Sequence, residues 1–176
     1  MSYPTRPDCI YCLSGRRGFT LIELIVIVLL IGILSVVAYG RYTSLKDDAY
    51  RSAIDHVVGQ FRTAVAMSNS LCVIRSWAGQ DNIQGLGSGN VDFNANCYPS
   101  DTANSNATAS NAARCMRIYQ GIMTSSYTVS NTTASDPDFQ TTVVAGSCRF
   151  TFRRGTTTRR FDYNAGTGAI TNIVNP

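Results

Sequence analysis

Arg16-Arg17-Gly18-Phe19-Thr20-Leu21-Ile22-Glu23-Leu24 opens a run that meets no further charge until Arg41. A helix rising about 1.5 Å per residue needs about 20 mostly apolar residues to cross a hydrocarbon core. Phe19 to Gly40 supplies that length, with Glu23 as its one charged side chain. Arg16 and Arg17 stand just before it, and the positive-inside tendency keeps that end in the cytoplasm. The rest of the chain is then expected across the membrane.

Glu23 is the residue that a plain anchor does not explain. A carboxylate near the start of a lipid-compatible helix costs about 2.5–3.5 kcal/mol if it reaches the bilayer centre ionised. The helix amino terminus offers partial positive charge, and a cut after Gly18 would add the full charge of a new α-amine on Phe19. Pairing of Glu23 with that amine, or with a neighbouring subunit's, would set the register between packed helices.

Gly18-Phe-Thr-Leu-Ile-Glu23 followed by an apolar run with Gly32 inside it resembles the amino terminus of type IV pilins and of the related type II secretion pseudopilins. The resemblance covers about Arg16 to Tyr42. It implies cleavage between Gly18 and Phe19 by a membrane aspartyl peptidase, N-methylation of Phe19, and a need for Glu23 in assembly. Gly40 stands where many members carry a helix-kinking proline. Two export readings compete. Val36-Val-Ala38 has the character of a signal-peptidase site, and Arg16-Arg-Gly-Phe-Thr-Leu that of a twin-arginine signal. Both leave Glu23 unexplained inside the apolar core, as a simple single-span anchor does.

Residues 1–18 form a leader that is long for family members whose mature chains begin with phenylalanine. Leu13-Ser-Gly-Arg-Arg-Gly18 would be a typical short leader if translation began at Leu13. Cys9-Ile-Tyr-Cys12 has the spacing of a redox or metal pair, but without a second pair or a βαβ context the spacing means little. The 176 residues carry a net charge of +4. Arg6, Arg16, Arg17 and Asp8 contribute +2 of it, which leaves a mildly basic remainder and no general nucleic-acid signature.

Beyond Arg41 the pattern turns amphipathic. Leu45, Ala49, Tyr50, Ala53, Ile54, Val57, Val58, Phe61, Ala64 and Val65 recur at three- and four-residue steps, while Lys46, Asp47, Asp48, Arg51, Asp55 and Arg62 take the other positions. The expectation is an α+β chain. A helix over 19–42 spans the membrane or packs in a filament core, and a head over 43–176 continues it to about residue 70. Asp47-Asp48-Ala49, Val58-Gly-Gln-Phe61, Val65-Ala-Met67 and Trp77 resemble pilins of the mannose-sensitive haemagglutinin type. His56, the one histidine, lies off the apolar face beside Asp55 and reads as a solvated residue.

Leu71-Cys-Val-Ile-Arg-Ser-Trp77 reads as a short strand or extended segment, and residues 78–113, rich in Gly, Asn, Ser and Thr, as an irregular loop. Gly85-Leu-Gly-Ser-Gly89 lacks the lysine of a phosphate cradle and reads as a turn. Asp92-Phe-Asn-Ala-Asn96 opens like a calcium loop, but Cys97 replaces its glycine and Ala103 its closing glutamate, so no metal site is assigned. From Arg114 onward, Cys115–Tyr119, Tyr127–Val129, Thr141–Ala145, Cys148–Arg153, Arg159–Tyr163 and Gly168–Val174 read as strands of an antiparallel sheet over 114–176. In the strand from Cys148, Cys148, Phe150 and Phe152 share one face and Arg149, Thr151 and Arg153 the other. The segment from Tyr163 to Ile170 resembles the closing hairpin of many pilins.

Of the six cysteines, Cys72, Cys97, Cys115 and Cys148 remain after removal of the leader, and an exported domain would hold them as disulfides. Four cysteines allow three pairings. Cys97 with Cys115, bracketing the polar loop, and Cys72 with Cys148 are preferred.

The sequence has no Ser-His-Asp set, no Gly-x-Ser-x-Gly elbow, no His-Glu-x-x-His motif and no phosphate loop. A structural protein without cofactor is therefore expected rather than an enzyme. Arg149, Arg153, Arg154, Arg159 and Arg160, on two adjoining strands, are the candidate anion-binding surface for DNA or a glycan. The family resemblance implies assembly with copies of itself or other pilins into a surface filament. It also implies a prepilin peptidase, an assembly ATPase and an inner-membrane platform protein as partners, with the head in the periplasm before assembly. A secretion pseudopilin and a DNA- or glycan-binding minor pilin are the alternatives.

Overall fold

The computed structural model describes residues 18–105 and 111–176. Arg16, Arg17, the Cys9/Cys12 pair and the rest of the leader lie outside the described residues. The chain divides into two units, one ending at Thr43 and a larger one over Ser44–Pro176. One helix, α1, is assigned over Leu21–Arg75 and runs through that boundary.

In the first unit the helix starts at a cap that the sequence encodes. Thr20-Leu-Ile-Glu23 is a capping-box pattern, and the Glu23 backbone N–H donates to Thr20 Oγ1 at 3.3 Å. The apolar residues that follow are all solvent-exposed, from 39% at Ile27 to 77% at Val36. Ser35 and Thr43 fold their hydroxyls back onto the carbonyls of Gly32 and Gly40, at 2.8 and 3.0 Å.

In the second unit the inner stripe of α1, namely Ile54, Val57, Val58, Phe61 and Val65, is buried against α2 (Ala112–Ile122) and a five-stranded sheet. The strands are β3 (Val129–Ser130), β4 (Phe139–Val144), β5 (Ser147–Phe152), β6 (Arg159–Tyr163) and β7 (Ile170–Val174), adjacent in chain order. All pairs are antiparallel except β3 with β4, which run parallel. That short parallel edge departs from the expected antiparallel sheet. Phe61 is the hub of the core: its ring lies 5.3–5.8 Å from those of Tyr119, Phe150, Phe161 and Tyr163. The alternation in β5 is as expected, with Cys148, Phe150 and Phe152 buried and Arg149 and Thr151 outward.

Two segments read as strands are helical. Cys115–Tyr119 belongs to α2, whose buried positions Cys115, Ile118 and Tyr119 follow a three-and-four step rather than alternation. Asn111 caps it by accepting from the Arg114 N–H at 2.9 Å. Leu71–Arg75 continues α1, because Cys72 falls one helical step beyond Ser68 and two beyond Val65 on the buried face. The helix ends in a left-handed residue, Ser76, at φ 57°. The Trp77 N–H returns to the Cys72 carbonyl and the Ser76 N–H to that of Val73, the paired bonds of a Schellman stop.

The polar stretch after α1 holds a two-stranded antiparallel hairpin, β1 (Asp92–Phe93) with β2 (Pro99–Asp101), over a small cluster of Cys72, Ile83, Val91, Phe93 and Cys97. The Gly85–Gly89 stretch is turn, and Gly87 admits no side chain, since a Cβ there would fall 1.8 Å from the Gly121 carbonyl oxygen.

The disulfides join Cys72 to Cys97 and Cys115 to Cys148, with Cα–Cα separations of 5.5 and 5.3 Å. This corrects the preferred pairing. Bracketing the loop with Cys97 and Cys115 presumed an extended segment at Cys115. On a helix, Cys115 instead faces β5 and meets Cys148, which leaves the end of α1 to Cys97.

Candidate functional site

The residues on which the sequence concentrates its signal sit at the start of α1. Gly18 and Phe19 precede the helix, and Phe19 is 74% exposed. Glu23 lies in the first turn and makes no ion pair among the described residues. Thr20, which sequence reasoning passed over, caps that turn through its hydroxyl, and the Thr-x-x-Glu spacing was the signal for it. The segment that follows is long and apolar enough to span a membrane, and none of it is buried within the protein. Uncharged side chains on every side of a helix leave it two stable surroundings, lipid or other apolar helices.

The five arginines proposed as one basic surface are not brought together. Arg159 and Arg160 are consecutive in β6, so they point to opposite faces. Arg159 is fully buried on the inner side, where Nη2 donates to Asp47 Oδ1 at 2.8 Å. On the outer face Arg149 grips Asp162 through two bonds of 2.8 and 2.7 Å, and Asn172 donates to the same carboxylate at 2.8 Å. Burial pushes the Asp162 carboxyl up, but these hydrogen bonds and the arginine charge outweigh it and hold the group below its ordinary value. Arg154 donates to Asp138 at 2.9 Å and to Asp136 at 2.8 Å. Arg153 donates to Gln140 at 3.0 Å. Three of the five charges are thus committed to internal carboxylates, which corrects the picture of a single free basic face.

In the polar stretch Asp92 and Asp101 are likewise spent on the fold. Asp92 accepts from the Asn82 and Ser105 backbone N–H groups at 2.8 and 2.9 Å. Asn94 accepts from those of Asn96 and Tyr98 at 2.9 and 3.0 Å, and so shapes a turn. Asp101, buried, receives Arg117 through bonds of 2.6 and 2.9 Å and pairs with Arg114 at 3.0 Å, which pins α2 to β2. His56 is exposed, with Gln60 Nε2 at 3.4 Å from its ring nitrogen.

A family signature described as the prokaryotic N-terminal methylation motif matches residues 13–39. The type IV narrow pilus major component PilA5 of Thermus thermophilus is 38% identical over 52 residues, 30% of this chain and 45% of that protein. The type IV major fimbrial protein FimA of Dichelobacter nodosus is 35% identical over 68 residues, 39% of this chain and 41% of that protein. The chain thus spans less than half the length of these curated relatives. No solved structure matches it.

Proposed function

We propose, from the methylation motif over residues 13–39 and the similarity to PilA5 and FimA, that this chain is a type IV pilin and a structural subunit of a type IV pilus serving surface attachment. It is made as a precursor anchored in the inner membrane by the first part of α1, with the head in the periplasm. A prepilin peptidase cuts it between Gly18 and Phe19, Phe19 is methylated, and an assembly ATPase and platform protein move it into the filament. The observation that carries this reading is the exposed, uncharged helix behind a single acid, Glu23, placed one turn from where the cut would free an amine. In that setting Glu23 pairs with an α-amine of its own or a neighbouring subunit and sets helix register.

Intact mass and amino-terminal sequencing of protein sheared from cells, compared with the membrane fraction, test this. Sheared subunits beginning at methylated Phe19 are expected. A soluble product beginning at Tyr39 would mean an ordinary export signal and would remove the role given to Glu23.

A further inference from the structure

In the head, α1 meets two turns around a cavity of about 410 Å³, within the ~300–1,000 Å³ range of ligand pockets. One side is α1 from Arg62 to Ser70. The others are Tyr98, between β1 and β2, and Gly168 with Ile170, where the chain enters β7. Side-chain amides pin these pieces to one another. Asn69 Nδ2 donates to the Cys97 carbonyl at 3.0 Å, beside the Cys72–Cys97 bond, and Asn96 Nδ2 to the Gly166 carbonyl at 2.9 Å. Gly168, at φ 70°, lies so close to the Tyr98 ring that a Cβ there would fall 2.1 Å from it. Any side chain at 168 would displace the ring that forms this wall.

The polar groups lining the cavity are sorted by kind. Arg62 is exposed and makes no hydrogen bond or ion pair among the described residues, so its end offers a full charge and a fork of N–H donors. About 10–12 Å further along the helix, Asn69 and Ser70 offer only acceptors. The Asn69 nitrogen is committed to the carbonyls of Asn96 and Cys97, which leaves Oδ1 without a partner among the described residues. The Ser70 hydroxyl commits its proton to the Ala66 carbonyl at 2.9 Å. We infer that this cavity binds a hexuronate, a sugar bearing a carboxylate, within an acidic polysaccharide. Arg62 takes the carboxylate, as a guanidinium fork does. Asn69 Oδ1 and Ser70 Oγ accept from ring hydroxyls, and the Tyr98 ring covers the apolar C–H face of the sugar. A sulfate would satisfy Arg62 but bring no proton to the acceptors, and a neutral sugar would leave the charge unused. An acidic peptide side chain meets Arg62 equally well but lacks the adjacent hydroxyls that two neighbouring acceptors require. Binding belongs to the head and stands apart from the pilus reading; within that reading it gives surface attachment a ligand.

The test titrates the detergent-solubilised full chain by calorimetry with trigalacturonate, trimannuronate and a hyaluronan tetrasaccharide, against galactotriose, tri-aspartate and sulfate. At least one uronate should bind, and at least about tenfold tighter than every control. Arg62→Gln should weaken that binding at least about tenfold, the loss expected for a hydrogen bond to a charged group. Ala66→Phe, which fills the cavity from an exposed position, should abolish it. Both variants should melt as the parent does, because neither residue is buried. Arg75→Gln, at an exposed arginine outside the cavity, should bind like the parent. Absence of uronate binding up to about 10 mM, equal binding of any control, parent-like binding by Arg62→Gln, or an equal loss in Arg75→Gln each overturns the inference. If Arg62→Gln melts below the parent, parent-like binding by Ala66→Phe overturns it instead. Subunits from sheared filaments that bind no uronate refute the site alone. Uronate binding by a chain that never enters filaments refutes the pilus reading alone.

Discussion

Arg159 is completely buried, whereas Asp47, the carboxylate 2.8 Å from its Nη2, stays 44% exposed. The two ends of this ion pair therefore stand to lose different amounts. Asp47→Ala strands a buried guanidinium whose Nε and Nη1 already have no hydrogen-bond partner. Arg159→Met removes the buried charge and leaves Asp47 free to be solvated. Buried pairs replaced by apolar groups are often neutral or stabilised, while halving them is costly. Arg159→Met should leave thermal stability within about 1 kcal/mol of the parent, and Asp47→Ala should lower the melting temperature more. The reverse order in thermal unfolding would refute this account of the contact.

Phe61→Ala removes the ring on which four other aromatic rings converge. The cost should be about 3–5 kcal/mol, as for other large core truncations. Chemical denaturation of the detergent-solubilised chain measures it. A loss of less than half that size would mean that the core closes over the gap.

Acid should weaken the head. Asp162, Asp101 and Asp138 all titrate below the ordinary value of 3.8 in the folded state, where burial is outweighed by hydrogen bonds from arginines or backbone amides. A depressed carboxylate contributes stability above its unfolded value and loses it as pH falls through that value toward the folded one. Melting temperature should hold from pH 7 to about pH 5 and then fall on further acidification. Asp162→Asn should show a shallower fall than the parent, and a melting temperature that rises on acidification would contradict the assignment.

The disulfides should differ in reach more than in size. Their sequence separations of 25 and 33 residues give about 3–4 kcal/mol each in the chain-entropy model. Replacing Cys72 and Cys97 together by serine should speed amide exchange chiefly over 78–105, because that bond tethers the polar hairpin to the end of α1. Replacing Cys115 and Cys148 should speed exchange across α2 and the sheet. Equal and uniform acceleration by both pairs would show that the head is one cooperative unit.

Glu23→Gln keeps the length and the Thr20 cap, which uses the Glu23 backbone N–H. Membrane insertion should be unchanged while incorporation into sheared filaments falls at least about tenfold, the loss expected when one charge of a buried pair is removed. Thr20→Ala, which removes the cap and leaves the acid, should cost about 1 kcal/mol of helix stability and much less filament.

The long helix and the face of β5 were legible because hydrophobic periodicity reports burial directly, and Phe61, Phe150 and Phe152 obey it. What failed was local. Val73 and Ile74 have the β-branched character of a strand, but Cys72 and the Ser76 stop keep them in α1. The five residues from Cys115 to Tyr119 are too short a window to tell the three-and-four step of Cys115, Ile118 and Tyr119 from alternation. The arginines failed differently. Arg159 and Arg160 are adjacent in a strand, so their opposite directions could have been read from the sequence, whereas the burial of Arg159 depends on Asp47, 112 residues away.

That separation also sets an order of events. Synthesis produces the inner stripe of α1 first and the strands that cover Phe61 last, with Phe150, Phe161 and Tyr163 all near the end of the chain. A nascent head of this design carries an uncovered apolar stripe, with Phe61 at its centre, until those strands are made, so it cannot mature piecemeal behind the ribosome. Its yield in a cell therefore depends on whatever shields Ile54 to Val65 during that interval as much as on the final stability of the fold.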